Sequence, residues 1–212
     1  MYTHTFAANK LPLNKLISTI LMGLSVVLIS GAPISEPKTL TIKPEASKVE
    51  WFAEKVTGKH NGIVSLKSGS IEIEENNIIG GSFSIDMTSI NTTDLEGEYK
   101  DKLDGHLKSK DFLNVEEFNT ATFKINTVKP LKNDEGFNHT IAGELTIKGI
   151  THPIAFPANI KITDGKLAAY GEMTIDRTKY DIKYGSASFF ESIGDKAIMD
   201  DFIMKISLGA KI

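Results

Sequence analysis

From Lys48 onward the chain alternates apolar and polar residues over most of its length, the period of a strand with one buried face. Val49, Trp51 and Ala53 share a face opposite Glu50 and Glu54. Ile71 and Ile73 alternate with acids, and Phe83, Ile85 and Met87 oppose Ser82, Ser84 and Asp86. The pattern resumes through Ala121, Phe123 and Ile125, then Ile141, Gly143, Leu145 and Ile147, then Ile154, Phe156, Ala158, Ile160 and Ile162. Leu167, Ala169, Gly171, Met173 and Ile175 follow, and Phe202 to Ile212 is the most regular run. Turns are expected at Thr57–Gly62, Asn76-Asn77, Asn133–Gly136, Lys148-Gly149 and Asp164-Gly165, where glycine and asparagine accept positive φ. Residues 33–46 read as an irregular leader and 47–212 as the domain.

The period changes at Thr93. Thr93 and Glu96 have capping-box spacing, and Leu95, Tyr99, Leu103 and Leu107 recur every four residues along one helical stripe. Gly97 and Gly105 each weaken such a helix by up to ~1 kcal/mol, so it relies on packing. An irregular stretch follows with Phe112, Leu113, Val115 and Phe118, and a second irregular passage runs from Asp176 to Asp201.

One-sided strands joined by hairpins imply an all-β, antiparallel domain of about eight strands with one helix. Alternation alone leaves a closed barrel and a two-sheet sandwich both open.

Composition changes the picture mainly at the start. Lys10 and Lys15, the 14-residue apolar run Leu16–Ile29 and the small residues Ser30-Gly31-Ala32 read as a signal peptide over residues 1–32. The run falls short of the roughly 20 residues of a spanning helix. Its removal takes the formal charge from −3 to −3 − 2 = −5, and no basic run suits nucleic acid. There is no cysteine, which excludes disulfides, a lipid-modified cysteine and thiolate metal sites. A periplasmic or secreted location is expected, with no stable membrane insertion after signal cleavage.

Catalytic chemistry is not legible. His60, His106, His139 and His152 are isolated, with no HxxxH spacing, nucleophile elbow, phosphate loop or dinucleotide fingerprint. Glu116-Glu117 and Asp200-Asp201 read as solvated pairs. Arg177 is the only arginine beside 23 lysines. A planar fork suits either a partly buried ion pair that ties down the irregular passage or an anionic head group. Trp51, the only tryptophan, is core or ligand lining.

Five segments resemble the YceI-like family, in the family's order: VTGKHNG (56–62), GSFSIDMTSI (81–90), GHLKSKDFLNVEEFNTATF (105–123), LTIKGITHPIAF (145–156) and IDRTKYDIKYGS (175–186). Asn119 and Asp181 depart from it, standing where proline and glycine are common. The resemblance implies an extended antiparallel eight-stranded barrel, similar to lipocalins, with one helix and an irregular flap. It also implies an exported protein that holds a polyisoprenoid, an isoprenoid quinone or a fatty lipid in an apolar tunnel, with no cofactor.

On that reading the tunnel is lined by Trp51, Phe83, Ile85, Phe123, Ile125, Leu145, Ile147, Phe156, Met173 and Met204, with Phe112, Leu113, Phe189 and Phe190 near a mouth. Head-group contacts fall to Lys59, His60, His106, Arg177 or Lys179. Two other functions compete: a protein-interaction module with a fully packed core, and an enzyme acting on a lipid. A homodimer is also compatible, since the regular last strand can pair within the barrel or across two chains.

Overall fold

The computed structural model describes residues 1, 36–132, 136–191 and 193–211. Apart from Met1, the expected signal peptide lies outside the described residues. Among the described residues the strands are β1 (Lys38–Ile42), β2 (Lys48–Lys55), β3 (Gly58–Glu74), β4 (Asn77–Thr92), β5 (Thr120–Pro130), β6 (His139–Ile147), β7 (Ile150–Thr163), β8 (Lys166–Asp176) and β9 (Ile198–Lys211), with one α-helix, α1 (Gly97–Lys108). Each pairs antiparallel with its neighbours, and the β3–β4 pairing closes β2 to β9 into a ring of eight. The fold is therefore the barrel, not the sandwich. β9 pairs with β2 on one side and β8 on the other, so its edges are used within the chain.

β1 corrects the irregular leader. β3 has 17 residues and β2 only eight, so half of one edge of β3 would lack a partner. Lys38–Ile42 fills that edge against Gly69–Ile73 and buries Ile42 to 1% exposure. The expected turn at Thr57–Gly62 is also corrected: Lys55 pairs with Gly58, so the turn is Val56-Thr57 and the strand has already begun. Gly62 is there for clearance, because a Cβ would lie 2.1 Å from the Asn91 carbonyl oxygen on β4 and 2.6 Å from the Trp51 ring.

Connections alternate between the two ends of the ring. One end carries the short β3–β4 and β7–β8 turns together with the β5–β6 link. There Ile42, Ile71, Ile73, Leu167 and Ile160 pack into a dense core. The opposite end carries the β2–β3 and β6–β7 turns and both long crossings, β4–α1–β5 and the passage from Arg177 to Ala197. This end is covered rather than plugged.

The helix sits on the covered end by polar fastening. Asp104 accepts from the Thr92 amide at 2.8 Å and the Thr92 hydroxyl at 2.7 Å, and pairs with Lys100 at 2.5 Å. Burial works to raise the Asp104 carboxyl, but Lys100 and Thr92 together hold it below its ordinary value. The capping box does not form: Glu96 is the N-cap without a side-chain bond, and Thr93 bonds Asn61 on β3 instead. Leu107 is buried, but Tyr99 is 76% exposed, so the buried stripe is shorter than its spacing suggested.

Asp181 follows a one-turn 3-10 helix, Arg177–Tyr180, with φ 56° and ψ 32°. That left-handed conformation favours glycine, and aspartate tolerates it better than most residues do. The departure from the family pattern is therefore compatible with the local geometry.

Candidate functional site

The ring encloses an apolar cavity of about 200 Å³ that extends to the covered end. The dense core of Ile42, Ile71, Ile73, Leu167 and Ile160 is not part of its wall. Among the described residues, Arg177 is the single charged one in that wall. An engineered apolar cavity of ~150 Å³ stays dry and admits benzene, so this interior favours hydrocarbon over water.

Four aromatic rings shape the wall by lying over glycines. A Cβ on Gly62, Gly69, Gly143 or Gly171 would fall 2.6–2.8 Å from a ring carbon of Trp51, Phe83, Phe123 or Phe156 respectively. The glycines let the rings approach the barrel wall. Phe123 and Phe156 also pack together at 5.6 Å between centroids.

The expected lining residues Trp51, Phe83, Ile85, Phe112, Leu113, Phe123, Ile125, Leu145, Ile147, Phe156, Met173 and Met204 all stand in this wall. Phe189 and Phe190 do not. Their amides both bond the Ser186 carbonyl, which turns the passage outward, and the side chains are 50% and 51% exposed. Val64, Leu66 and Ile90 also belong to the wall, on reaches of β3 and β4 that lie outside the alternating runs at Ile71–Ile73 and Phe83–Met87. Phe202, Ile206 and Leu208 share the phase of Met204, and that signal was available in the sequence.

The cover brings two segments together. Phe112 and Leu113, which follow α1, reach into the wall from one side, and Ile182 reaches in from the Arg177–Ala197 passage. The His106 ring lies between them, 5.6 Å from Phe112 and 4.5 Å from Tyr184, with Nε2 buried and without a hydrogen-bond partner among the described residues.

Arg177 is 2% exposed and fastens the passage to β9. Nε donates to the Met199 carbonyl at 3.0 Å, Nη1 to the Ile182 and Tyr184 carbonyls at 2.6 and 2.9 Å, and Nη2 to the Ile198 carbonyl at 3.0 Å and Asp200 at 3.4 Å. All five N–H groups of the fork are thus committed to the chain, leaving none for a head group. Burial lowers the guanidinium pKa, while Asp200 and Asp176 oppose that shift. An arginine remains charged there. Its guanidinium also sits 5.7 Å from the Phe112 ring centroid.

The other head-group candidates lie outside the cavity wall. Lys59 is exposed on β3. His60 Nδ1 is 2.9 Å from Asp94, whose carboxyl burial would raise but the Asn61 amide and His60 hold low. Lys179 points to solvent, 3.9 Å from Asp176. The geometry therefore separates these groups instead of gathering them around one ligand. Among the described residues no three His, Asp or Glu side chains are placed to hold a metal ion. What the arrangement can do is desolvate an apolar molecule.

Comparison with known proteins agrees with this architecture. The chain is 37% identical over 93 residues to a UPF0312 protein of Yersinia enterocolitica, covering 40% of this chain and 46% of the relative. It is 30% identical over 141 residues to protein YceI of Escherichia coli, covering 66% of this chain and 61% of that protein. The matches thus span about half to three-fifths of these relatives' length.

Among solved structures, Burkholderia cenocepacia BcnA aligns with a TM-score of 0.63 at 18% identity, over 80% of this chain and 99% of that one. A polyisoprenoid binding domain from Saccharophagus degradans, implicated in plant cell wall breakdown, aligns at 0.56 and 14% identity, over 81% and 97%. At these identities the likeness is one of fold. Residues 40–210 match the model of the YceI-like domain, and the chain belongs to that family.

Proposed function

We propose that this protein is an exported carrier that holds a long-chain isoprenoid, or a comparable apolar lipid, in its barrel for transport, storage or sequestration. The observation that carries the proposal is the apolar cavity whose one charged residue among those described, Arg177, is saturated by the chain itself. Each buried methylene contributes about 0.8 kcal/mol before entropic costs, so length and apolar lining suffice for affinity without a polar motif. The polarity of the barrel supports the same reading. On β9, Phe202, Met204, Ile206 and Leu208 line the interior, and the intervening Lys205 pairs with Glu172 on the outer side. A lipid-embedded barrel has the reverse arrangement, apolar outside. The relative described as a polyisoprenoid binding domain gives the ligand class a precedent within the fold. Periplasmic or secreted location, and release of a signal peptide, belong to the same proposal.

Native mass spectrometry of the purified protein, with organic extraction, tests it. A co-purifying long-chain lipid, or uptake of added prenyl lipid, is the expected result. A ligand-free protein that also refuses added prenyl lipids overturns the carrier and leaves the interaction module.

A further inference from the structure

Among the described residues, five large apolar side chains are exposed along the β2–β3 turn, the Arg177–Ala197 passage and the start of β9: Val56, Tyr184, Phe189, Phe190 and Met199, each about half accessible. They share one rim. The Val56 amide bonds the Ala197 carbonyl at 3.0 Å, and the Ile198 amide bonds the Gly185 carbonyl at 2.7 Å. The β2–β3 turn, the end of the passage and the start of β9 are thereby joined edge to edge.

Met199 makes the rim more than a scatter of exposed residues. It is 47% exposed and also forms part of the cavity wall, so apolar surface runs without a break from the interior to the outside. Setting aside the buried Arg177, the exposed charges of the passage are balanced: Lys179, Lys183 and Lys196 against Asp181, Glu191 and Asp195. Lys183 lies over the Phe189 ring at 5.2 Å and also pairs with Asp181. Exposed aromatics mixed with lysines are the residues that settle at the head-group level of a bilayer. Balanced charge complements a zwitterionic surface and gives no preference for anionic lipid or nucleic acid.

We infer that this rim is a peripheral docking surface for a zwitterionic phospholipid bilayer, seating the cavity opening on the membrane so that a lipid chain passes between bilayer and barrel without crossing water. The inference rests on the carrier reading, and names the surface from which that site is filled or emptied.

The test uses flotation of the purified protein with phosphatidylcholine vesicles, in low and high salt, beside uptake of a prenyl lipid delivered in detergent. Wild-type protein floats with the vesicles in both salts. The Phe189→Ser, Phe190→Ser double variant loses vesicle association by about tenfold or more. It keeps its melting temperature and its uptake from detergent, because neither ring lies in the core or the cavity wall. Wild-type protein that does not float, or a double variant that floats equally well, overturns the docking surface. So does a concentration-dependent dimer that the double variant abolishes, since the rim would then be covered by a second copy. Failure of detergent-delivered uptake in the wild type overturns the carrier reading instead, and flotation that still depends on the two phenylalanines supports the rim by itself.

Discussion

The two ends of the barrel are held by different physics. At the closed end, short turns and branched aliphatic side chains such as Ile42, Ile71 and Leu167 pack to near-complete burial. At the covered end, buried polar groups do the fastening: Arg177 gathers four main-chain carbonyls and Asp200, and Asp104 holds α1 to Thr92. Close packing is hard to rearrange without losing the fold, because a dense core transmits every change in volume. A segment held by a few directed bonds can be released as a unit. The contrast places rigidity at the closed end and discrete fastenings at the end through which, on the carrier reading, a ligand enters.

Substitutions sharpen this contrast, taken in order of their effect on stability. Arg177→Ala removes five donors at once and leaves buried carbonyls without partners, so a loss of about 3–5 kcal/mol is expected in chemical denaturation. Arg177→Lys recovers only part of it, because an ammonium cannot span the same acceptors. Unchanged stability in the alanine variant would mean that the passage is held by its apolar contacts. Leu167→Ala, at the closed end, is expected to cost about 2–5 kcal/mol while leaving lipid retention per folded molecule unchanged.

Asp104→Asn loosens α1 by about 1–3 kcal/mol. Its effect depends on pH with a definite sign. The folded carboxyl titrates below its ordinary value of 3.8, so its contribution is complete above that value and disappears as pH falls through the lowered one. The gap in melting temperature between wild type and Asp104→Asn should therefore narrow as pH falls below 3.8 and stay constant well above it. A gap independent of pH would assign the fastening to something other than the charged carboxylate. Phe112→Asp gives the smallest change in melting temperature and the largest in lipid retention, because Phe112 is half-buried yet stands in the cavity wall. Equal damage to both would make the flap a piece of core.

Most of the barrel wall was legible in the sequence, because an antiparallel strand with one buried face writes its burial into every second residue. What was not legible depends on partners distant in sequence. β1 is a strand because β3 outruns β2, a fact of sheet geometry rather than of residues 38–42. Gly62 reads as a turn residue, but its role is set by the Asn91 carbonyl and the Trp51 ring on its two neighbouring strands. Thr93 had capping-box spacing, yet a bond to Asn61 claimed it. The singularity of Arg177 marked it out, but its acceptors are mostly main-chain carbonyls, which carry no side-chain signature. Phe189 and Phe190 were legible as apolar and not as outward, since an irregular passage has no period from which to read a face.

The glycines beneath the aromatic rings set the calibre of the barrel. At Gly171 an added methyl would meet Phe156 at 2.8 Å, with the nearest main-chain oxygen farther off at 3.6 Å, so the ring, more than the backbone, would have to yield. Displaced from the wall, Phe156 would narrow the lumen like a stop in a pipe and shorten the chain that fits behind it. On the carrier reading the glycines beneath the rings act as a length gauge, and Gly171→Ala is the single-methyl adjustment of it.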